Sequence, residues 1–214
     1  MGIAIKCYIV MVDWWFDLRY QLDTRQVVPL DNLTVAGENR QHGHRYEPAR
    51  TAILRKVLPR LKELAPDDST FVDLGSGKGR VLMVAAECGF RNARGIEFAG
   101  DLCTIASANC ASFKRKSGSD CNFDIVETDA AAYHPSQTDR VFFMFNPFDA
   151  ELLGKVLGNI EASVTASPRP IFICYYNPAF GESAEDRSSF KLLLELNYWG
   201  YRFKVYSNAK DSAP

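Results

Sequence analysis

The chain carries almost no net charge: 25 basic residues against 26 acidic ones leave it at −1. That balance excludes bulk attraction to nucleic acid. Long hydrophobic runs are missing too. The apolar stretch Met1 to Val12 falls short of the roughly 20 residues a spanning helix needs, and Asp13 and Asp17 follow it at once. No small-residue cleavage pattern is visible, and Lys6 stands where a myristoylation signal at Gly2 would need a hydroxyl. None of the six cysteines (Cys7, Cys88, Cys103, Cys110, Cys121, Cys174) has C-x-x-C spacing, and Cys103 and Cys110 are wrongly separated for a zinc clip. Reduced, buried thiols in a cytoplasmic protein are the expectation. Histidine is scarce. His42 and His44 flank a glycine with no carboxylate or thiol cluster beside them, so no metal is expected. They read as loop residues, one of them placed to assist proton removal, and His134 reads as exposed. Repeats and low-complexity segments are absent.

What is present suits one domain of ordinary size with a small N-terminal addition. The chain has 214 residues, 47% of them hydrophobic. Boundaries are expected at 1–45 for an N-terminal segment that packs on the domain or forms a lid, 46–207 for the domain, and 208–214 for a loose tail. Trp14, Trp15, Phe16 and Tyr20 form an aromatic cluster expected to pack that segment onto the domain, with a lid or partner contact as the alternative. A basic stretch from Arg40 to Lys62 reads as a solvated helix face, or as an approach for an acidic substrate.

The densest signal is Phe71-Val72-Asp73-Leu74-Gly75-Ser76-Gly77-Lys78-Gly79-Arg80. It reads as a buried strand, a glycine turn and a helix over 81–88. Such a turn lets a ligand lie against bare backbone, beside the positive end of a helix. A phosphate-binding P-loop needs G-x-x-x-x-G-K-[ST]; here Val72 takes the first glycine's place and Gly79 the hydroxyl's. A dinucleotide loop needs G-x-G-x-x-G, and Arg80 occupies its last glycine, a poor fit that leaves an NAD(P)-linked oxidoreductase as an alternative. An acidic-x-G-x-G-x-G pattern is complete in Asp73, Gly75, Gly77 and Gly79.

That last pattern resembles the first motif of class I S-adenosylmethionine-dependent methyltransferases. The resemblance implies a cofactor seat formed by Asp73, Gly75, Ser76, Gly77 and Gly79, holding the amino-acid portion of S-adenosyl-L-methionine. A second strand ends at Gly95-Ile96-Glu97-Phe98. Glu97 lies near the separation of about 20 at which an acid meets a ribose diol, and its two oxygens suit two hydroxyls. Phe98 belongs to the same seat. A third strand over 123–126 leads to Asp129, which the resemblance sets against the adenine amino group; a helix or turn cap is the other reading.

A fourth strand over 140–145 runs into Asn146-Pro147-Phe148. In the resembled family this loop faces the transferable methyl group, commonly as Asn/Asp/Ser-Pro-Pro-aromatic. Here the second proline is absent, which weakens a nucleobase as acceptor. Asn146 also suits a helix N-cap, with Pro147 at the first helical position and Asp149 favouring the positive end. Tyr46, in Tyr46-Glu47-Pro48, resembles a turn of some protein-lysine methyltransferases that closes over the methionine end of the cofactor. A ring face for the sulfonium or a hydroxyl is one role; packing at the domain edge is the other.

Further on, a helix over 149–164, a strand over 170–176, a helix over 189–196 and a strand over 201–206 are expected, with Pro59 kinking or dividing an earlier helix. This alternation predicts an α/β fold: a doubly wound, mostly parallel sheet with helices on both faces. Within the class, the chain is most similar to seven-strand protein-lysine methyltransferases, which include the non-SET histone lysine enzyme and its small bacterial relatives. The expected activity is in-line methyl transfer to an amine nitrogen of a protein lysine or a small molecule. A cofactor-binding, non-catalytic interaction protein remains an alternative.

Overall fold

The computed structural model describes residues 2–29, 46–145, 149–178 and 189–209. Asn146, Pro147, Phe148, His42 and His44 therefore lie outside the described residues.

Five strands run parallel: β1 (Thr70–Leu74), β2 (Asn92–Glu97), β3 (Asn122–Glu127), β4 (Asp139–Phe145) and β5 (Phe172–Tyr176). Two more, β6 (Lys191–Tyr198) and β7 (Tyr201–Ser207), close the sheet, with β7 antiparallel to both β5 and β6. The order is β3-β2-β1-β4-β5-β7-β6. The chain reverses direction across the sheet after β3, so the carboxyl ends of β1 and β4 flank a topological switch point, where open α/β folds place ligands.

The helices are α1 (Ile3–Tyr20), α2 (Thr51–Leu64), α3 (Arg80–Glu87), α4 (Gly100–Ser117) and α5 (Ala150–Ala166). Strand alternation sorts side chains to two cores. Phe71, Val141, Phe143, Cys174 and Phe203 point to the side covered by α1 to α4, and Val72, Leu74, Phe142, Met144 and Ile173 to the side covered by α5.

Several expectations need correction. Residues 189–196 form no helix; β6 is an edge strand there. Trp199 (φ 56°) and Gly200 (φ 91°) form a two-residue turn between β6 and β7. Two successive positive φ values are the hairpin geometry whose twist suits paired strands. The apolar run Leu192 to Leu196 fits either period, and this turn decides it. Pro59 does not divide α2, which runs through it. The cap of α5 is Asp149, whose side chain accepts the Leu152 N–H at 2.9 Å, rather than Asn146. Asn208 is not loose: its side chain accepts from Ile171 N–H and donates to the Arg169 carbonyl. The aromatic cluster divides. Phe16 and Tyr20 pack inward on Phe113, whereas Trp14 and Trp15 face solvent.

Candidate functional site

The β1–α3 turn is held by its own amides. Gly75 N–H and Ser76 N–H both donate to the Ile96 carbonyl (2.9 and 3.1 Å), and Gly77 N–H donates to Glu97 Oε2 at 2.8 Å. Three amides of the turn are thus directed to the end of β2 rather than toward an anion. The other oxygen of Glu97 accepts from Phe98 N–H (3.0 Å) and Ala99 N–H (3.1 Å). Glu97 therefore splices the glycine turn to the β2–α4 turn.

Glycine is needed at Gly77 for two reasons. Its φ is +53°, and a Cβ there would lie 2.3 Å from the Tyr46 ring. The ring of Tyr46 covers this turn, while its hydroxyl donates to the Thr24 carbonyl at 2.7 Å. That hydroxyl is committed, and burial raises its pKa, so the ring is the part of Tyr46 left to serve the turn. At Gly95 a Cβ would sit 2.6 Å from Ser76 Oγ. The turn lies directly on β2 because that position is bare.

Asp73, on β1, is buried, and its Oδ2 has no hydrogen-bond partner among the described residues; Ser76 Oγ shares that condition. Burial drives the Asp73 carboxyl well above its ordinary range, and the like charge of Glu97 adds to the shift. Glu97 is also raised by burial, against the pull of its three backbone donors. Both cations of the turn look elsewhere. Lys78 pairs with Asp23 (2.9 Å). Arg80, almost wholly buried, meets Asp13 (3.1 Å), Asp17 (3.4 Å), Thr24 Oγ1 (2.7 Å) and the Ala49 carbonyl. Asp13 in turn accepts from Thr51 N–H and pairs with Arg50. Asn109 on α4 closes the arrangement by bonding Asp23 and the Lys78 carbonyl.

The signs of charge are therefore separated. Two carboxyls, Asp73 and Glu97, sit at the strand tips with no paired cation among the described residues. The lysine and arginine that would attract a pyrophosphate are neutralised by the N-terminal segment. An orphaned buried carboxylate oxygen, an orphaned hydroxyl and a bare glycine under an aromatic ring fit a cationic amino acid joined to a nucleoside. They do not fit a dinucleotide. S-adenosyl-L-methionine fits this set.

Of the remaining predicted residues, Asp129 caps a short 3-10 turn (Ala130–Ala132), accepting from Ala131 N–H at 2.8 Å. Phe98 is half-buried beside Glu97, and Gly79 (φ +80°) packs against Ala106 of α4. His134 is exposed. From sequence, Asp13 and Asp17 were read only as ending an apolar stretch, and Asp23, Thr24 and Asn109 were not singled out. A signal did exist. Asp13 and Asp17 are the two acids of a largely apolar helix, one turn apart, in a chain whose glycine turn carries two cations.

Comparison with known proteins bears on the family and the fold. The family described as "Histone methylation protein DOT1" matches residues 46–119. Among solved structures, an RNA methyltransferase from Salinibacter ruber in complex with S-adenosyl-L-homocysteine superposes with TM-score 0.56 at 16% identity, covering 78% of this chain and 96% of that one. A ribosomal protein L11 methylase from Lactobacillus delbrueckii subsp. bulgaricus gives 0.54 at 16% identity, covering 80% of each chain. A SAM-dependent methyltransferase from Aquifex aeolicus gives 0.53 at 14%, covering 75% and 98%. These identities speak to the fold alone. No curated protein matches the chain in sequence. The family match lies over the glycine-turn third of the chain and the shared fold over most of it: this chain has the Rossmann-like fold of class I S-adenosylmethionine-dependent methyltransferases.

Proposed function

We propose that this protein is an S-adenosylmethionine-dependent methyltransferase that methylates an amine nitrogen, with a protein lysine side chain as the preferred acceptor. The observation that carries the cofactor half of this reading is the pairing of Asp73 and Glu97 without a cation, beside a turn whose own cations are neutralised. The acceptor half draws support from the matched family, described by histone methylation.

S-adenosyl-L-methionine supplies the methyl group from a sulfonium centre. Asp73 and the Gly75–Gly79 turn, with Ser76, hold its amino-acid portion, the orphaned Asp73 oxygen accepting from the ammonium. Glu97 retains its grip on Gly77 and turns a remaining lone pair to the ribose. Phe98 borders the nucleoside, and Asp129 stands at the adenine end. Tyr46 closes the methionine side with its ring and excludes water there. Asn146, Pro147 and Phe148, following β4, position the acceptor and accept its proton-bearing N–H groups, so that positioning and desolvation supply the rate gain. The N-terminal segment 1–45 serves the domain 46–207 by neutralising Lys78 and Arg80. A cytoplasmic location agrees with the reduced thiols.

Incubation of the pure protein with methyl-labelled cofactor and cell extract tests this. Label in protein, recovered as methyl-lysine after hydrolysis, is expected; label confined to small molecules refutes the lysine assignment. Calorimetric titration of S-adenosyl-L-homocysteine tests the seat separately, with Glu97→Ala expected to weaken binding at least about tenfold.

A further inference from the structure

Helix α1 is turned the opposite way from an ordinary surface helix. Its two acids, Asp13 and Asp17, face inward and are buried on Arg50 and Arg80. Its outward face is apolar: Val10, Met11 and Leu18 are each 59% exposed, and Trp14 and Trp15 are 48% and 43% exposed. A helix that is apolar on every side is normally covered on every side. The surface continues past the helix. Tyr8 meets Trp199 of the β6–β7 turn edge-on at 5.9 Å, so the exposed ring of Trp199 adjoins the outward side of α1.

Among the described residues, the charges that meet the tryptophan rings of that face are cationic. The exposed charges of α1 are Lys6 and Arg19. Arg19 lies 4.9 Å from the Trp15 ring and Lys56 lies 5.2 Å from the Trp199 ring. No acid of α1 is exposed. A second copy of the chain on this face would bring two cationic rims together, which disfavours self-association. An anionic surface with an apolar interior is complementary to both features. Tryptophan belongs at the boundary of such a surface, where its ring is buried and its N–H stays wet.

We propose that α1 and the tip of the β6–β7 turn dock the enzyme onto an anionic phospholipid bilayer. The helix lies in the headgroup plane and does not cross. Among the described residues no helix is long and apolar enough to span a membrane, and the Asp13–Arg80 and Asp17–Arg80 pairs tie the C-terminal half of α1 to the domain. An 18-residue helix presents a face about 27 Å long. Trp14, Trp15, Met11 and Leu18 enter the acyl boundary while Lys6, Arg19 and Lys56 pair with phosphate.

The full chain is floated with vesicles of pure phosphatidylcholine and with vesicles containing about one quarter phosphatidylserine, and tryptophan emission is recorded in parallel. Co-flotation with the anionic vesicles, a shift of emission to shorter wavelength, and release by salt are expected. Trp14→Ser with Leu18→Ser reduces partitioning about tenfold or more, and Lys6→Glu with Arg19→Glu abolishes the preference for anionic vesicles. These side chains lie outside the cofactor seat, so unchanged S-adenosyl-L-homocysteine binding verifies that the variants fold. Failure to float with either vesicle overturns the proposal. So does equal binding to both, or a dimer in sedimentation that the Trp14→Ser, Leu18→Ser variant disperses, which assigns the face to a second copy.

Discussion

Replacing Asp73 with asparagine separates the stability of the empty fold from cofactor affinity, because the two respond with opposite sign. Asp73 is 2% exposed, its Oδ2 lacks a partner among the described residues, and the neighbouring charge is that of Glu97. Asparagine keeps the shape and removes the charge that Glu97 opposes. An unsatisfied buried polar group costs about 1–3 kcal/mol, more when charged, so Asp73→Asn should stabilise the ligand-free protein by about that amount. In a domain of this size each 1 kcal/mol raises Tm by roughly 2–4 °C. The pH dependence has a definite sign. A folded-state pKa raised above the unfolded value, about 3.9, stabilises below that value. The contribution disappears as pH rises through the folded pKa. The wild-type ligand-free protein should therefore lose stability from about pH 4 upward until Asp73 ionises, and Asp73→Asn should flatten that slope. Cofactor binding runs the other way. Losing a charge-assisted hydrogen bond worth about 1.5–3 kcal/mol weakens S-adenosyl-L-homocysteine on the order of 10- to 100-fold. Urea titrations across pH and calorimetry measure the two effects. A variant that is less stable when empty, or one that binds with undiminished affinity, refutes the assignment of Asp73 as a strained cation acceptor.

Gly77→Ala must adopt a left-handed conformation, costing about 1–2 kcal/mol, and must displace the Tyr46 ring from its 2.3 Å clash. Urea titration should show the loss, and calorimetry a decline in nucleoside affinity. Arg80→Ala strands Asp13 and Asp17 in the core and should destabilise by about 3–5 kcal/mol in the same titration. Arg80→Lys should recover little, since an ammonium cannot reach four acceptors in one plane. Tyr46→Phe removes the bond to the Thr24 carbonyl and should cost about 1 kcal/mol while retaining measurable methyl transfer, because the ring remains.

The glycine turn was legible because its rule is local. Three left-handed positions, Gly75, Gly77 and Gly79, must be glycine or nearly so, and their spacing survives in the bare sequence. The parallel strands were legible for a similar reason, as short apolar runs ending in turn residues at βα spacing. Residues 189–196 were not, because the run Leu192 to Leu196 satisfies either period, and pairing with β7 across the Trp199-Gly200 turn settles the choice. Asn146 and Asp149 both satisfy the rules for a cap, and only the Asp149 contact to Leu152 chooses between them.

The sequence alone determined a backbone seat: an acid and three spaced glycines prescribe one whatever packs around it, and their resemblance to the methyltransferase motif implied S-adenosyl-L-methionine, with a dinucleotide as the alternative. It did not establish the charge of that seat. Lys78 and Arg80 stand in the motif as two cations, and their neutralisation depends on Asp13, Asp17 and Asp23, more than fifty residues away along the chain. Coulomb energy follows distance in space and depth of burial, neither of which sequence separation records. The same holds for α1, whose composition suits a buried helix and whose outward tryptophans appear only once the domain has chosen the opposite face.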